Sequence, residues 1–248
     1  MYPQDFKSQY RFSKLEDRVF VGMWFGAPHK SRYEHIIKPA IENMQTKKLT
    51  PYRVDQPTTA GSISLDIQEG ILNSRLLLFE ISFISTEQIA TRYRNANVMY
   101  EIGLAHAWRL KEEVVVLRKD QENLPFDIEA YRVHRYDPRN IQDSINQISN
   151  LLDNALKEID RRKSQMVKRA RESLDAGSLS FINSNKGHYF SETDVRDLEL
   201  RITIMRLLDL GLLYLHSSND GRYAYHWTEL GRDVIISFGI DIVNESLS

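Results

Sequence analysis

The sequence predicts an α/β protein with a parallel, doubly wound sheet, because two kinds of apolar segment alternate along its first 139 residues. Continuously apolar stretches, such as RVFVGM at 18–23 and LLLFEI at 76–81, are typical of buried strands. In 33–47 and 62–72, apolar residues instead recur at three- and four-residue steps, which indicates helices. Strands without polar alternation indicate that helices cover both faces of the sheet, a Rossmann-like arrangement.

The same alternation continues to the end of this region. Further strands are predicted at 51–54, 114–117 and 131–134, and a further helix at 97–109. In such sheets ligands bind outside the carboxyl ends of the strands. We therefore expect a binding site near 22–25, after Ser82 and after Leu117.

One long helix is predicted over 140–175. Its apolar stripe fades near Arg161, so its first half should pack on the sheet domain and its second half should be an exposed connector. We therefore divide the chain into an α/β domain at 1–139, a connecting helix at 140–175 and a small α+β module at 176–248. The stripe consists of Ile141, Ile145, Ile148, Leu152, Ala155 and Ile159.

The small module resembles a winged-helix unit. Ser191 and Asp194 have the spacing of a helix-capping pair, and Gly211 stands where that helix should end. A hairpin is predicted within 212–227, and Thr228 should cap a final short helix. The core face of the first helix is expected to comprise Leu198, Ile202, Ile204, Leu207 and Leu208.

Composition excludes several classes of function. The 248 residues include no cysteine, which rules out disulfides, cysteine nucleophiles and thiolate metal sites. The seven histidines show no metal-ligand spacing and no phosphate-cradling glycine motif occurs, so we expect neither a metal nor a cofactor. The polar segment 1–17 is not a signal peptide and no apolar run reaches membrane-spanning length, so we expect a cytoplasmic protein without a membrane partner.

The segment NANVMYEIGLAHA at 95–107 is the strongest candidate for chemistry. Asn95 and Asn97 lie where a loop meets a helix, so their side chains are placed either to cap the helix or to meet a ligand. Glu101 follows about one turn into the helix. Three small residues should let the helix approach the sheet closely: Gly103, Ala105 and Ala107.

This segment resembles the motif N-x-N-V-x-Y-E-x-G-x-A-x-A of the nucleoside 2-deoxyribosyltransferase-like and TIR-like families. Other pieces resemble the same group in the same order, namely VFVGMWF at 19–25, KPAI at 38–41, RVD at 53–55, and LPFDI at 124–128 followed by Tyr136. The resemblance covers about half of the chain. It implies a flavodoxin-like sheet and the cleavage or transfer of a nucleoside N-glycosidic bond.

The resemblance assigns the catalytic carboxylate to Glu101. Breaking a ribose–base bond builds positive charge at C1′, which a carboxylate stabilises or attacks to form a glycosyl-enzyme. A carboxylate here can instead hold the sugar hydroxyls. The predicted substrate-binding residues are Met23, Trp24, Phe25, Asp55, Glu80, Ser82, Arg92, Arg94, Asn95, Asn97, Phe126 and Asp127.

Each of these residues also has a structural interpretation. Met23, Trp24 and Phe25 are suited either to stacking on a base or to packing. Asp55 either belongs to the site or caps a loop, and Glu80 is either a site residue or an ordinary carboxylate at the end of a strand. Phe126 and Asp127 contact the substrate or belong to a turn near it.

The chain departs from the family pattern after the third strand. Where the family has an acidic residue, often Asp, followed one residue later by Thr or Ser, this chain has Glu80, Ile81 and Ser82. The loop at 83–94 is long and carries Arg92 and Arg94, which are either solvated or placed to meet a phosphate. A phosphate contact favours a nucleotide or dinucleotide, such as NAD, over a bare nucleoside.

Three hypotheses follow. The first is an enzyme that cleaves the N-glycosidic bond of NAD or a related nucleotide. The resemblance implies a role in bacterial defence or in nucleotide salvage. Deoxyribosyl transfer to a second base is the nearest alternative reaction. The second is a nucleotide sensor that signals through the C-terminal module, and the third a scaffold. Because the helix predicted at 191–210 has mixed charge, that module suits a contact with another protein or a homo-oligomer better than DNA.

Overall fold

A computed structural model of the chain describes residues 15–54, 63–86, 89–124, 132–191, 195, 197–217 and 223–242. The chain divides into two compact units, unit 1 at 1–159 and unit 2 at 160–248. Among the helices of these described ranges, none combines the length and the apolar character that crossing a membrane requires.

Unit 1 contains a parallel sheet of five strands in the order β2-β1-β3-β6-β7, which confirms the predicted α/β class. The order is compatible with a Rossmann-like fold. The sheet strands are β1 (Glu16–Met23), β2 (Thr50–Tyr52), β3 (Ser74–Glu80), β6 (Val114–Arg118) and β7 (Val133–Arg135).

Helices cover both faces of this sheet because alternate strand residues point to opposite sides. On the first face, Val19 and Val21 pack with helices α1 (Ala27–Arg32) and α2 (Lys38–Glu42), which a π-helical turn joins, and with α5 (Ile141–Glu172). On the second face, Phe20 packs with α3 (Ile63–Asn73) and α4 (Ala96–Trp108).

The segment 83–94, expected to be a loop, contains a small antiparallel pair instead. Its strands are β4 (Ile84–Thr86) and β5 (Ile89–Tyr93), and Ile84 pairs with Tyr93. This pair forms a separate two-stranded sheet between β3 and α4 in the chain order. The β-branched residues Ile84, Thr86 and Ile89 are consistent with strand structure.

Unit 2 has its own apolar core. Its elements are α6 (Ala176–Asn185), β8 (Phe190–Ser191), α7 (Leu198–Asp209), β9 (Leu213–Ser217), β10 (Tyr223–Trp227) and α8 (Glu229–Ser237), with sheet order β8-β10-β9. Ala170 of α5 is buried in the same core, so the second half of α5 is not an exposed connector throughout. The Thr228 side chain accepts a hydrogen bond from Gly231 N, which confirms the predicted cap of α8.

One prediction in unit 2 was wrong, and a second was correct only in part. Ser191 does not cap α7, because it pairs with Ala224 in the sheet; the Asp197 side chain caps the helix by accepting from Leu200 N. Leu198 and Ile202 are exposed, whereas Ile204 and Leu207 are buried. Helix α7 carries apolar residues on two opposite faces, and apolar periodicity alone cannot tell which one packs.

Candidate active site

The carboxyl ends of β1 and β3 form the crevice where a ligand is expected. Met23 pairs with Glu80, and Gly22 with Phe79, in the parallel register of these strands. The strand order reverses here, since β2 lies on the other side of β1 while β3 and β6 follow on this side. In open α/β sheets, ligands bind at such a switch point.

Glu101 lies beside this crevice. The side chain of Asn95 caps α4 by accepting from the backbone N–H groups of Asn97 and Val98, which fixes where the helix begins. Ile102 on the same helix is fully buried in the second-face core, and Glu101 next to it is only 8% exposed. An ideal Cβ placed on Gly22 would lie 2.8 Å from Glu101 Oε2, so the carboxylate reaches the backbone of β1.

The Glu101 carboxylate has no hydrogen bond or ion pair within the described part of the chain. Burial raises the pKa of Glu101 from its ordinary value of 4.5 to about 7. A buried ionised carboxylate that accepts no hydrogen bond is poorly stabilised, so the Glu101 carboxylate should interact strongly with any positive charge that develops nearby. This is the property that oxocarbenium chemistry requires.

Gly22 is the position that permits this close approach. Substitution by Ala would push a methyl group against the fully buried Phe79 ring and against Glu101 Oε2. We expect Gly22→Ala to lower the free energy of unfolding by about 1–3 kcal/mol, as overpacking does. We also expect it to impair any reaction that depends on Glu101; urea unfolding and an activity assay measure the two effects.

Gly103→Ala is the matched control. Gly103 lies on α4 with nothing within 4 Å of an added Cβ, so Ala there should stabilise the helix by about 0.5–1 kcal/mol. Equal effects at the two positions would contradict the role assigned to Gly22. The exposure of Gly103 and Ala107 also corrects the expectation that they face the sheet; among the three small residues, only Ala105 is buried there.

Glu80 lies on the opposite face of the sheet, at the centre of a buried network. Its side chain is fully buried, and Ser82 contacts it through both its backbone N–H and its hydroxyl group. Tyr136 donates its hydroxyl hydrogen to Glu80 Oε1 at 3.3 Å, and Arg32 donates from Nη2 to Oε2 at 3.4 Å. Burial raises the pKa of Tyr136, and the Glu80 carboxylate raises it further, so the phenol stays protonated.

His29 completes the surroundings of Glu80 without forming an ion pair. Its Nε2 lies 3.3 Å from Glu80 Oε2, outside hydrogen-bond geometry. Burial lowers the pKa of His29 to about 3, and the charges of Arg32 and Lys119 lower it as well. The imidazole is therefore neutral at physiological pH.

The three predicted stacking residues have different surroundings. Met23 is buried in the first-face core, so it is not available to stack on a base. Trp24 packs edge-on against the His29 ring, with the centroids 5.0 Å apart. Phe25 is 52% exposed, and the Arg53 guanidinium lies 5.0 Å from its ring centroid. Trp24 and Phe25 thus border the carboxyl end of β1.

Arg94 has a structural role rather than the predicted phosphate contact. Its Nη2 donates to Asp120 Oδ1 at 3.0 Å, its Nη1 donates to the Ile81 carbonyl oxygen, and its guanidinium covers the Phe83 ring. Only 6% of its side chain is exposed. These contacts hold the segment after β3 to the segment after β6.

The remaining predicted residues divide into two groups. Asn95 is the helix cap described above, and Asn97 is exposed at the start of α4. Ser82 is buried and its Oγ accepts from Lys119 N at 2.9 Å. Outside the described part of the chain lie Asp55, Phe126, Asp127 and the side chain of Arg92.

Sequence reasoning missed His29, Arg32 and Lys119. His29 and Arg32 are three residues apart and precede the apolar positions Ile36 and Ile37, so both polar side chains lie on the helical face that packs on the sheet. The three-residue spacing of His29 and Arg32 on this face could therefore have indicated a buried polar pair. In the described ranges, no group of three or more His, Asp or Glu side chains is arranged to hold a metal ion.

Comparisons with known proteins add little. No protein-family model matches the chain, and no curated protein does. Among solved structures, a chain in the structure of Drosophila ORC bound to AT-rich DNA and Cdc6 is similar with a TM-score of 0.23 and 13% identity, over 95% of this chain and 92% of that chain. A TM-score this low carries no argument about fold or function.

Fold and site together define an α/β protein with a five-stranded parallel sheet and, among the described residues, the two buried carboxylates Glu80 and Glu101 at the carboxyl ends of β1 and β3. Glu80 is surrounded by polar partners, whereas Glu101 is buried without one among the residues described. Two carboxylates in such different surroundings are suited to different tasks.

Proposed function

We propose that unit 1 is a flavodoxin-like enzyme that cleaves the N-glycosidic bond of NAD or a related nucleotide in the cytoplasm. The observation that carries the proposal is the buried Glu101 carboxylate, without a hydrogen-bond partner in the described structure, at the switch point of the sheet. The resemblance of 95–107 to the nucleoside 2-deoxyribosyltransferase-like and TIR-like families supports it. In such families this activity serves defence or salvage.

The proposed reaction is a hydrolysis at C1′ of the ribose. The bond between C1′ and the base nitrogen breaks, and the base leaves with the bonding electrons. The Glu101 carboxylate stabilises the positive charge that remains on C1′ and the ring oxygen. Water then forms a bond to C1′ through its oxygen and releases a proton, which goes to the departing base when the base leaves as an anion and to solvent when it leaves neutral. The products are the free base and the sugar bearing a C1′ hydroxyl group.

Deoxyribosyl transfer shares the first half of this reaction. In that case Glu101 bonds to C1′ and a second base displaces it. Hydrolysis and transfer differ in whether water or a base completes the reaction. The two are separated by adding a second base to the assay and looking for a new nucleoside.

The test is base release. The purified protein is incubated separately with NAD, with nucleoside monophosphates and with deoxynucleosides, and free base is measured by chromatography at low and high protein concentration. Release that disappears in Glu101→Gln supports the proposal, and the substrate that responds identifies the subclass. Nucleotide binding without any release would instead support a sensor.

We further propose that unit 2 is a winged-helix-like module that contacts a second copy of the chain. The order helix, strand, helix, hairpin, helix supports the first part. Leu198, Ile202 and Met205 are 70%, 58% and 64% exposed, and they form one apolar stripe along α7. Glu199 and Arg201 flank this stripe, a mixed charge that suits a second copy better than polyanionic DNA.

Ile202→Glu should weaken self-association without unfolding unit 2. The side chain is exposed in the single chain, so a charge there costs little in folding but much in an apolar contact. Sedimentation velocity of the two proteins over a range of concentrations measures the effect. A monomer at all concentrations for both proteins, or salt-dependent DNA binding by both, would contradict the proposal.

A further inference from the structure

Positive charge accumulates where β3 and β6 end. Lys119 directly follows β6, and its backbone N–H donates to Ser82 Oγ at 2.9 Å, which fixes it beside the end of β3. Its side chain is exposed, and its ammonium has no ion pair or hydrogen bond within the described ranges. Partial desolvation lowers the pKa of Lys119, and the nearby Arg32 guanidinium lowers it further, while Glu80 and Asp120 raise it. The contacts also place both cations near Glu80, since Ser82 binds Lys119 N and Glu80 Oε1, and Arg32 is 3.4 Å from Glu80 Oε2.

The carboxylates at this edge do not neutralise the cations. Asp120 is 3.0 Å from Arg94 and 4.0 Å from Arg118. Glu80 contacts Arg32 at 3.4 Å. Among the described residues, the cations are Arg32, Arg94, Arg118 and Lys119, against the carboxylates Glu80, Asp120 and Glu101, an excess of one positive charge when Glu101 is ionised.

Buried polar atoms here also lack partners. Arg32 is 7% exposed, and its Nε has no acceptor in the described structure. His29 is 3% exposed, and neither of its ring nitrogens forms a hydrogen bond in the same ranges. The neutral His29 ring has one N–H donor and one acceptor nitrogen. Buried donors without acceptors are unfavourable, and an anion with several oxygens would accept from Arg32 Nε and from the His29 N–H and would offset the excess charge.

We infer that Arg32 and Lys119 form a subsite for a phosphate group of the substrate, which makes the substrate a nucleotide rather than a nucleoside. The nucleotide part of this inference rests on the proposed function, whereas the excess of positive charge does not. The subsite takes the role predicted for Arg92 and Arg94, of which the Arg94 guanidinium is already bound to Asp120. Phosphate is the anion that Arg and Lys side chains bind through charge-assisted hydrogen bonds.

The inference is tested by binding, independently of turnover. Calorimetry compares the common nucleoside 5′-monophosphates and NAD with the matching nucleosides, using Glu101→Gln to prevent cleavage. At least one phosphate-bearing ligand should bind about tenfold more tightly than its nucleoside, as charge-assisted contacts imply. Inorganic phosphate should compete with it.

Lys119→Gln, added to the same background, should remove most of this preference and leave nucleoside affinity unchanged. Lys119→Arg should retain it, because the charge remains. Lys111→Gln is the matched control, since Lys111 lies next to the opposite end of β6 and its side chain is 76% exposed. It should bind as the parent protein does.

Equal affinity for nucleotides and nucleosides, or no binding of any ligand up to millimolar concentration, would overturn the phosphate subsite. The phosphate subsite would also be overturned if Lys119→Gln weakened the binding of nucleosides as much as the binding of nucleotides. The proposed function fails in a different way. Absence of base release by the wild-type protein, together with a Lys119-dependent preference for phosphate, would leave the subsite standing and reject the glycosidase.

Discussion

Glu101→Gln is expected to lower base release by about a thousandfold, the effect of removing a preorganised charge from a transition state. Glutamine keeps the size and shape of the side chain but cannot carry the negative charge that faces C1′. The loss should appear in kcat, because the positive charge exists only in the transition state. Glu112→Gln, on the short helical turn before β6, is a control that should leave release unchanged.

The pH dependence of base release tests the same carboxylate. If the ionised form of Glu101 stabilises the charge at C1′, kcat/KM should rise with pH and level off above the pKa of about 7. A general acid would give the opposite slope, with activity falling through the same pH. A profile that is flat between pH 5 and 9 would contradict a catalytic role for this group.

Stability should change with pH in the opposite sense to activity. The pKa of Glu101 is about 7 in the folded protein against an ordinary value of 4.5, so the folded state binds more protons between these two pH values. The contribution of Glu101 to the free energy of unfolding is therefore fully present below pH 4.5 and is lost as the pH rises through 7. This loss of stability is at most about 3.5 kcal/mol, because each pKa unit between 4.5 and about 7 contributes about 1.4 kcal/mol.

Glu101→Gln should therefore be more stable than the wild-type protein at pH 8 and no more stable near pH 4.5. Urea unfolding of both proteins at the two pH values measures the difference. A variant that lost activity and stability together at pH 8 would show that Glu101 holds the fold, and would remove the argument for a functional carboxylate. Functional groups commonly reduce stability in this way.

Much of the fold could be predicted because apolar periodicity records which surfaces are buried. The stretch 76–81 is apolar on both sides, and β3 is buried on both sides. Glu101 could be singled out because a motif placed it on a helix that follows a central strand. Local sequence also specified the cap of α8, since Thr228 and the Gly231 N–H it binds are three residues apart.

The surroundings of the site could not be predicted, because they depend on residues far apart in the chain. Glu80 meets Arg32 and Tyr136, which are separated from it by 48 and 56 positions. Nothing in the sequence near Arg94 shows that Asp120, 26 positions away, will occupy it. Met23 is apolar whether it faces a ligand or the core, so only the alternation of β1 assigns it to the core.

Arg109, like Glu80 and Arg94, binds partners that are distant in the sequence. Arg109→Leu should therefore destabilise unit 1 strongly. Its guanidinium donates to the carbonyl oxygens of Ile71 and Ser74 at 2.7 and 2.6 Å, and its Nε is 2.8 Å from Glu113 Oε2. Its side chain is fully buried and that of Glu113 is 2% exposed. Leucine would remove the Arg109 counter-ion from a buried carboxylate and the Arg109 donors from the carbonyl oxygens, a change that costs about 3–5 kcal/mol.

The double variant Arg109→Leu/Glu113→Leu separates these two causes, because it also removes the buried carboxylate. It should recover part of the lost stability in urea unfolding. Arg139→Leu, which breaks an exposed pair with Asp137, is the control and should have no measurable effect. Since Arg109 ties the end of α4 to β3, Arg109→Leu should also lower base release at temperatures where the protein remains folded. An effect as small as that of Arg139→Leu would mean that packing alone holds the helix that carries Glu101.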